Sequence, residues 1–168
     1  LIDIVPEFNL YEEYWKIYTN VESLPPQYYG PNSSISRSIV GDGSEIYGAV
    51  DQSVIGSDVV IGEGARVHNS IIMNGARIDA GCCLEKAIVA ERAHISENVV
   101  IGEGEEVPNE TDPGIYRDGL TVIAEDAEIP AGVSIGKNAM VNGITRTEDY
   151  PDGRLESGRT LNKEGGTV

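Results

Sequence analysis

Basic residues are scarce. Lysine and arginine together number 12 against 28 aspartates and glutamates, so the 168-residue chain carries a formal charge of −16 and has a pI near 4.3. Such a balance repels phosphate backbones and anionic lipid surfaces, which excludes nucleic acid and membrane as expected partners. No apolar run approaches the roughly 18–20 residues of a spanning helix. Residues 1–20 lack the basic start, apolar block and cleavage site of a signal peptide. No methionine precedes Leu1, and the chain is expected to be a piece of a longer cytoplasmic protein. The two cysteines, Cys82 and Cys83, are adjacent. Neighbouring cysteines strain the geometry of a mutual disulfide, so neither a secreted disulfide framework nor a metal site is expected from them. There are only two histidines, one Phe and one Trp, whereas glycine occurs 20 times and tyrosine eight. That composition points away from helices and toward turns and strands.

An internal period is present. Aliphatic residues recur at Val40, Ile46, Ile55, Ile61, Val67, Ile72, Ile78, Leu84, Val89, Ile95, Ile101 and Val107, and again at Ile123, Ile129, Ile135 and Val141. Most steps are six; steps of five from Val67 to Ile72 and from Leu84 to Val89 place Ile55, Ile72 and Val89 seventeen apart. Two residues before these aliphatics stand small or β-branched residues: Ser44, Ser53, Val59, Ala65, Ser70, Ala76, Cys82, Ala87, Ala93 and Val99. In a strand, i and i−2 face one side, so each pair fills a narrow interior with one large and one small group. Glycine often follows the aliphatic, as at Gly41, Gly56, Gly62, Gly102 and Gly136, where a tight corner is expected. Three short strands and three corners make a coil of about 17–18 residues, and stacked coils bury each other's faces. The pattern resembles the hexapeptide-repeat, left-handed parallel β-helix, an all-β fold. Its hand comes from that resemblance and not from the spacing.

The expected organisation is a linker and cap over 1–31, a β-helix over 32–141, and a polar tail over 142–168, partly disordered. Phe8, Leu10, Tyr14, Trp15, Ile17 and Tyr18 gather the aromatics in the first segment, which is read as a cap on the open end or a linker packed against another domain. Pro108, Pro113 and two glycines break the period, so a loop is expected to leave the prism at 108–122, either solvated or touching another domain or subunit. Glu105 at a small position signals the failing coil.

Chemistry is thin. Prisms of this kind often carry acyltransferases that use a histidine as general base. His68 follows an inward aliphatic and His94 precedes one, so both should point outward, with Glu91 available to tune His94. Two histidines cannot supply the three that zinc carbonic anhydrases of this fold require. The IGEG strings at 61–64 and 101–104 are read as coil corners, because no helix follows to make a phosphate cradle. No Walker signature or metal-ligand cluster is present, so the residues describe a scaffold without a catalytic centre.

A resemblance adds to this. LIDIVPEFNLYEEYWKIYT, SLPPQYY, SISRSIVGDGSEIYGAVDQSVIG and the later IYRDGLTVIAEDAEIPAGVSIG resemble the carboxyl-terminal part of bacterial glucose-1-phosphate adenylyltransferases (ADP-glucose pyrophosphorylases). The resemblance implies a longer enzyme joining ATP and glucose 1-phosphate, with Mg²⁺, into ADP-glucose and pyrophosphate for glycogen synthesis. It places that chemistry in an amino-terminal nucleotidyltransferase domain, so no catalytic residue is expected here. It assigns the β-helix to packing on that domain, to joining homo- or hetero-oligomers (tetramers in the intact protein), and to an anionic sugar-phosphate effector site. Glu91 and Glu125 occupy positions near those where relatives carry lysines, leaving Lys86, Arg92 and Arg117 as the candidate effector-binding cations. The alternative reading is a standalone hexapeptide-repeat acyltransferase using His68 or His94.

Overall fold

A computed structural model of the chain describes Tyr14 and residues 23–163. The expected linker and cap therefore lie mostly outside the described residues. From Tyr28 onward the chain winds through three parallel sheets that form the sides of a prism. Sheet I holds β1 (Tyr28–Tyr29), β4 (Glu45–Ile46), β7 (Val60–Ile61), β10 (Arg77–Ile78), β13 (His94–Ile95) and β16 (Glu128–Ile129). Sheet II holds β2 (Ser34–Ser36), β5 (Ala49–Asp51), β8 (Arg66–His68), β11 (Cys83–Glu85), β14 (Val100–Glu103), β17 (Ser134–Gly136) and β19 (Arg154–Leu155). Sheet III holds β3 (Ile39–Val40), β6 (Val54–Ile55), β9 (Ile71–Ile72), β12 (Ala87–Val89), β15 (Thr121–Ile123), β18 (Met140–Asn142) and β20 (Thr160–Asn162). Successive strands go to different sheets, so strands pair with the coils above and below, those at the sheet ends on one side only, and never with a sequence neighbour.

The large and small inward rows are those read from the spacing. Ile61, Ile78 and Ile95 stack in register on sheet I, and the aliphatics from Ile46 to Ile101 and from Ile123 to Val141 are buried with their small partners. Val40, in the first strand of sheet III, is only partly buried, and Val107 lies outside the row. It is exposed, because the chain has already left the prism. Where the small partner is serine, its hydroxyl satisfies itself by tying coils together. Ser53 Oγ donates to Asp51 O at 2.8 Å and accepts from Ser70 N at 3.1 Å. Ser70 Oγ repeats this one coil on, donating to His68 O at 2.7 Å and accepting from Ala87 N at 3.0 Å. A buried hydroxyl so paired avoids the cost of desolvation without a partner.

The glycines after the aliphatics serve a different purpose from the one expected. Gly62 needs no unusual backbone angle; a Cβ there would lie 2.6 Å from Ala80 N and 2.7 Å from Asp79 C of the next coil. Close approach between coils, and not corner curvature, excludes a side chain. The two IGEG strings also differ. The first turns the chain from β7 to β8, but the second lies in and just after β14, where the register with β17 shifts between Ile101 and Glu103 and Gly102 has φ +90°. It is the exit from the prism and not a corner between sheets.

Three boundaries move. Pairing of Tyr28–Tyr29 with Glu45–Ile46 starts the prism before residue 32. The excursion occupies residues 104–120, since Thr121 already pairs with Ala87 in sheet III. Residues 142–163 are a further coil instead of a tail. Leu155 pairs with Ile135, and Leu161 with Val141. Polar 3₁₀ turns at Thr147–Asp149 and Pro151–Gly153 stretch this coil and disguise its period. Between them Tyr150 is buried in the prism end, its hydroxyl 2.9 Å from Thr145 Oγ1. Burial pushes that phenol up to about 12.

Cys82 and Cys83 are free thiols on opposite faces of one strand, the first in the small inward row and the second facing out. Burial pushes the Cys82 thiol up, so its reactive thiolate is suppressed. An aromatic disulfide reagent at neutral pH should titrate one thiol per chain within minutes and the second only on unfolding. Two fast thiols would contradict this placement.

Candidate anion-binding corner

The excursion at residues 104–120 is largely exposed and is anchored on its own last coil. Asn109 is buried, donating from Nδ2 to Asn138 O at 2.8 Å while its Oδ1 accepts from Thr111 N and Asp112 N at 2.8 and 2.9 Å. Asn138 returns the hold at both ends of the loop: its Oδ1 accepts from Gly119 N and its Nδ2 donates to Val107 O, each at 2.7 Å. Glu110 ties the loop tip down, accepting from Arg159 Nη1 at 2.6 Å and from Thr160 N at 2.9 Å.

This docking brings two of the three sequence-derived cations to one corner. Lys86 is the single residue between β11 and β12, in a left-handed conformation with φ +52°. The loop returns directly above it, where Thr121 N donates to Lys86 O. A Cβ on Gly119 would lie 3.6 Å from Lys86 Cδ, 3.7 Å from Glu106 Oε2 and 3.8 Å from Lys137 Cδ, so the stems of two lysines and one carboxylate converge on this glycine. Lys137 was missed in the sequence because its partner lies 51 positions away, across the loop. Arg117, exposed and 3.4 Å from Asp118 Oδ2, lines a shallow depression with Glu106, Pro108, Pro113, Asp118 and Asn138 beside the same corner.

Arg92 is elsewhere and is already occupied. It sits on the corner between sheets III and I, donating from Nε to Asp126 Oδ1 at 2.8 Å and from Nη2 to Asp126 Oδ2 at 3.0 Å, with a further bond to Glu125 and with Glu91 at 3.6 Å. The Asp126 and Glu125 carboxylates raise its pKa further, and Arg92 in turn holds Asp126 below the usual carboxylate range. Three carboxylates offset its charge, while Nη1 makes no hydrogen bond. It closes a corner where the coils would otherwise stack negative charge.

Both histidines face outward as read. His68 stands in a cross-coil row between Asp51 and Glu85, with Nδ1 2.6 Å from Glu85 Oε2 and Nε2 3.4 Å from Asp51 Oδ2. Glu85 thus takes up Nδ1, and Asp51 stands beside Nε2 without a hydrogen bond. His94 Nε2 lies 2.9 Å from Asp79 Oδ2. Among the described residues, no group of three or more His, Cys, Asp or Glu is arranged to hold a metal ion, and no helix is long and apolar enough to cross a membrane.

The prism has known counterparts. A family model described as "GlmU-like, C-terminal hexapeptide" matches residues 27–123, more than half of the chain. The chain belongs to this family. The chain is also 40% identical over 167 residues to a glucose-1-phosphate adenylyltransferase of Acetivibrio thermocellus, covering 99% of the chain and 39% of that protein. It is 49% identical over 165 residues to one of Lachnospira eligens, covering 98% of the chain and again 39% of the relative. The chain thus spans about two fifths of the length of these relatives. Among solved structures, the acetyltransferase domain of PglB from Neisseria gonorrhoeae FA1090 aligns with 19% identity and a TM-score of 0.43 over 82% of this chain and 55% of that one. The family match ends at Ile123, the first strand after the loop. The coils that clamp the loop through Asn138 and Arg159 thus lie beyond it.

Proposed function

We propose that this chain is the β-helix part of a glucose-1-phosphate adenylyltransferase, which joins ATP and glucose 1-phosphate into ADP-glucose and pyrophosphate with Mg²⁺ and serves glycogen synthesis in the cytoplasm. Its role there is assembly and effector response, with the chemistry in a separate amino-terminal domain of the same protein. One observation carries this reading. Similarity to two enzymes of that name extends over 98–99% of the chain, including residues before the repeats begin, while covering only 39% of the enzymes. Repeats alone would match any hexapeptide prism. The purified chain, given ATP, glucose 1-phosphate and Mg²⁺, should release no pyrophosphate above a blank, whereas the complete product of its gene should form ADP-glucose. Turnover by the isolated chain, or none by the complete product, would overturn the assignment.

The effector contact belongs to the loop corner. Lys86, Lys137 and Arg117 supply its positive charge, and Arg92 contributes none because carboxylates surround it. Phosphate titrated into the chain and followed by NMR should perturb the amides of residues 86, 117–119 and 137. Lys86→Gln with Lys137→Gln should weaken that binding by about tenfold or more, in line with about 1.5–3 kcal/mol for a hydrogen bond to a charged group. Arg92→Gln should leave it unchanged, and an equal loss from Arg92→Gln would place the anion on the other corner.

A further inference from the structure

Five times in the sequence an asparagine or aspartate precedes a glycine: Asp42–Gly43, Asn74–Gly75, Asp118–Gly119, Asn142–Gly143 and Asp152–Gly153. With no Cβ beside it, such a glycine nitrogen can attack the side-chain carbonyl carbon of the residue before, and for asparagine the leaving group is ammonia. The attacking nitrogen must first give up its proton, so a fixed acceptor on that N–H holds it back. Four of the five glycines are held in this way. Gly43 N donates to Pro25 O at 2.7 Å, Gly75 N to Ser57 O at 2.9 Å and Gly153 N to Tyr150 O at 2.9 Å. Gly119 N donates to Asn138 Oδ1 at 2.7 Å. Gly143 is the fifth. It is buried with φ +82°, yet its N–H donates to no acceptor among the described residues. Buried backbone N–H groups are nearly always paired, which sets this one apart.

The two asparagines also differ at the carbon that is attacked. Asn74 Oδ1 accepts from Ser57 N at 2.9 Å, so both reacting groups of that pair are tied to the coil before it. Asn142 Oδ1 accepts no hydrogen bond among the described residues, while its Nδ2 donates to Asn162 Oδ1 at 2.8 Å on the exposed side of the last coil. We propose that Asn142 is a site of self-modification by deamidation. The Gly143 nitrogen loses its proton to solvent and forms a bond to Asn142 Cγ. The Cγ–Nδ2 bond breaks, and the departing nitrogen takes up a proton and leaves as ammonia. Water then opens the cyclic imide at either carbonyl, giving aspartate or isoaspartate, so water is the only co-reactant.

The product acts on the end of the fold. A carboxylate at residue 142 has no donor for Asn162 Oδ1. In isoaspartate the chain runs on through the side-chain carbon, and the former Asn142 carbonyl leaves the main chain as a carboxylate. That carbonyl accepts from Lys163 N at 2.9 Å and belongs to the Asn142–Asn162 register. Among the described residues β18 is the only strand paired with β20, because β20 ends sheet III. Residues 160–163 are therefore the first to be released. Thr160 N is also a contact of Glu110, so the loosening reaches the docked loop. The reaction is read from the backbone of the last coil and stands whether or not the activity assignment does.

Peptide mapping of the complete product of the gene, after prolonged incubation in mildly alkaline buffer, tests this. Conversion at Asn142 should run at least about tenfold faster than at Asn74, the factor expected where hydrogen bonds must break before reaction. In urea both Asn–Gly pairs are equally free, and the two rates should converge. Isoaspartate at residue 142 should accept a labelled methyl group from S-adenosylmethionine, with a protein isoaspartyl methyltransferase as the probe, and Asn142→Gln should abolish that label. Chains carrying isoaspartate should exchange the amides of residues 160–163 faster than fresh chains. Conversion at Asn142 no faster than at Asn74 in the folded protein, a difference that persists in urea, or unchanged exchange at residues 160–163 would each overturn the proposal.

Discussion

Gly102→Ala should cost about 4 kcal/mol or more, the range reserved for backbone strain and severe overpacking together. A Cβ at this position would run into the Glu85 carbonyl of the neighbouring coil, and φ of +90° is unfavourable for any L side chain. Neither neighbour can yield, because Glu85 is a strand residue paired on its other side with His68. At about 2–4 °C per kcal/mol for a chain of this size, the melting temperature should fall by roughly 10 °C or more. Gly64→Ala is the control. It has φ +71° but open space around it, so only the conformational cost of about 1 kcal/mol remains. The same tetrapeptide thus contains one glycine needed for room and one needed only for its backbone angle. Equal losses from the two variants, read by urea denaturation, would contradict the exit geometry of β14.

Asn138→Ala should remove about 3 kcal/mol. The buried amide serves two backbone groups at once, the Gly119 N–H and the Val107 carbonyl, which are the two ends of the loop. Each orphaned buried group costs about 1–3 kcal/mol, and a left-handed backbone at φ +54° adds a penalty for alanine. Asn138→Gly relieves that backbone penalty and should still lose most of the stability, which separates the hydrogen bonds from the strain. Amide exchange at residues 104–120 should accelerate together with residues 157–160, because Glu110 and Asn109 join the loop to that coil. Acceleration confined to the loop would mean that its docking does not depend on Asn138.

These two residues differ in how far the sequence reveals them. Gly102 is visible as a glycine after an inward isoleucine, at the same position of its IGEG string as Gly62. Its unusual backbone is not visible, because the string means a corner in sheet I and an exit in sheet II. Asn138 follows Lys137 in an otherwise regular repeat and looks like an ordinary corner residue. Its partners lie 19 and 31 positions earlier. Leu155 and Leu161 were hidden for a related reason: polar turns lengthen the coil to 20 residues, so they fall outside the period of 17. Arg92 was grouped with Lys86 as a candidate cation because charge is legible in a sequence but neutralisation is not. Its carboxylates at Glu125 and Asp126 are 33 and 34 residues away.

The sequence by itself determined the coil, its three strands and which residue of each strand faces inward. A strand turns alternate residues to opposite sides, so spacing along the chain is enough to separate core from surface. Only the tertiary structure decided what stacks above what once the loop interrupts the count. It placed Lys86 beside Lys137, buried Asn109 and Asn138 against each other, and tied Arg92 to a corner of carboxylates. Stacking brings together residues separated by one coil or by an excursion of unpredictable length. The ends of long polar side chains then choose among neighbours that local spacing does not encode.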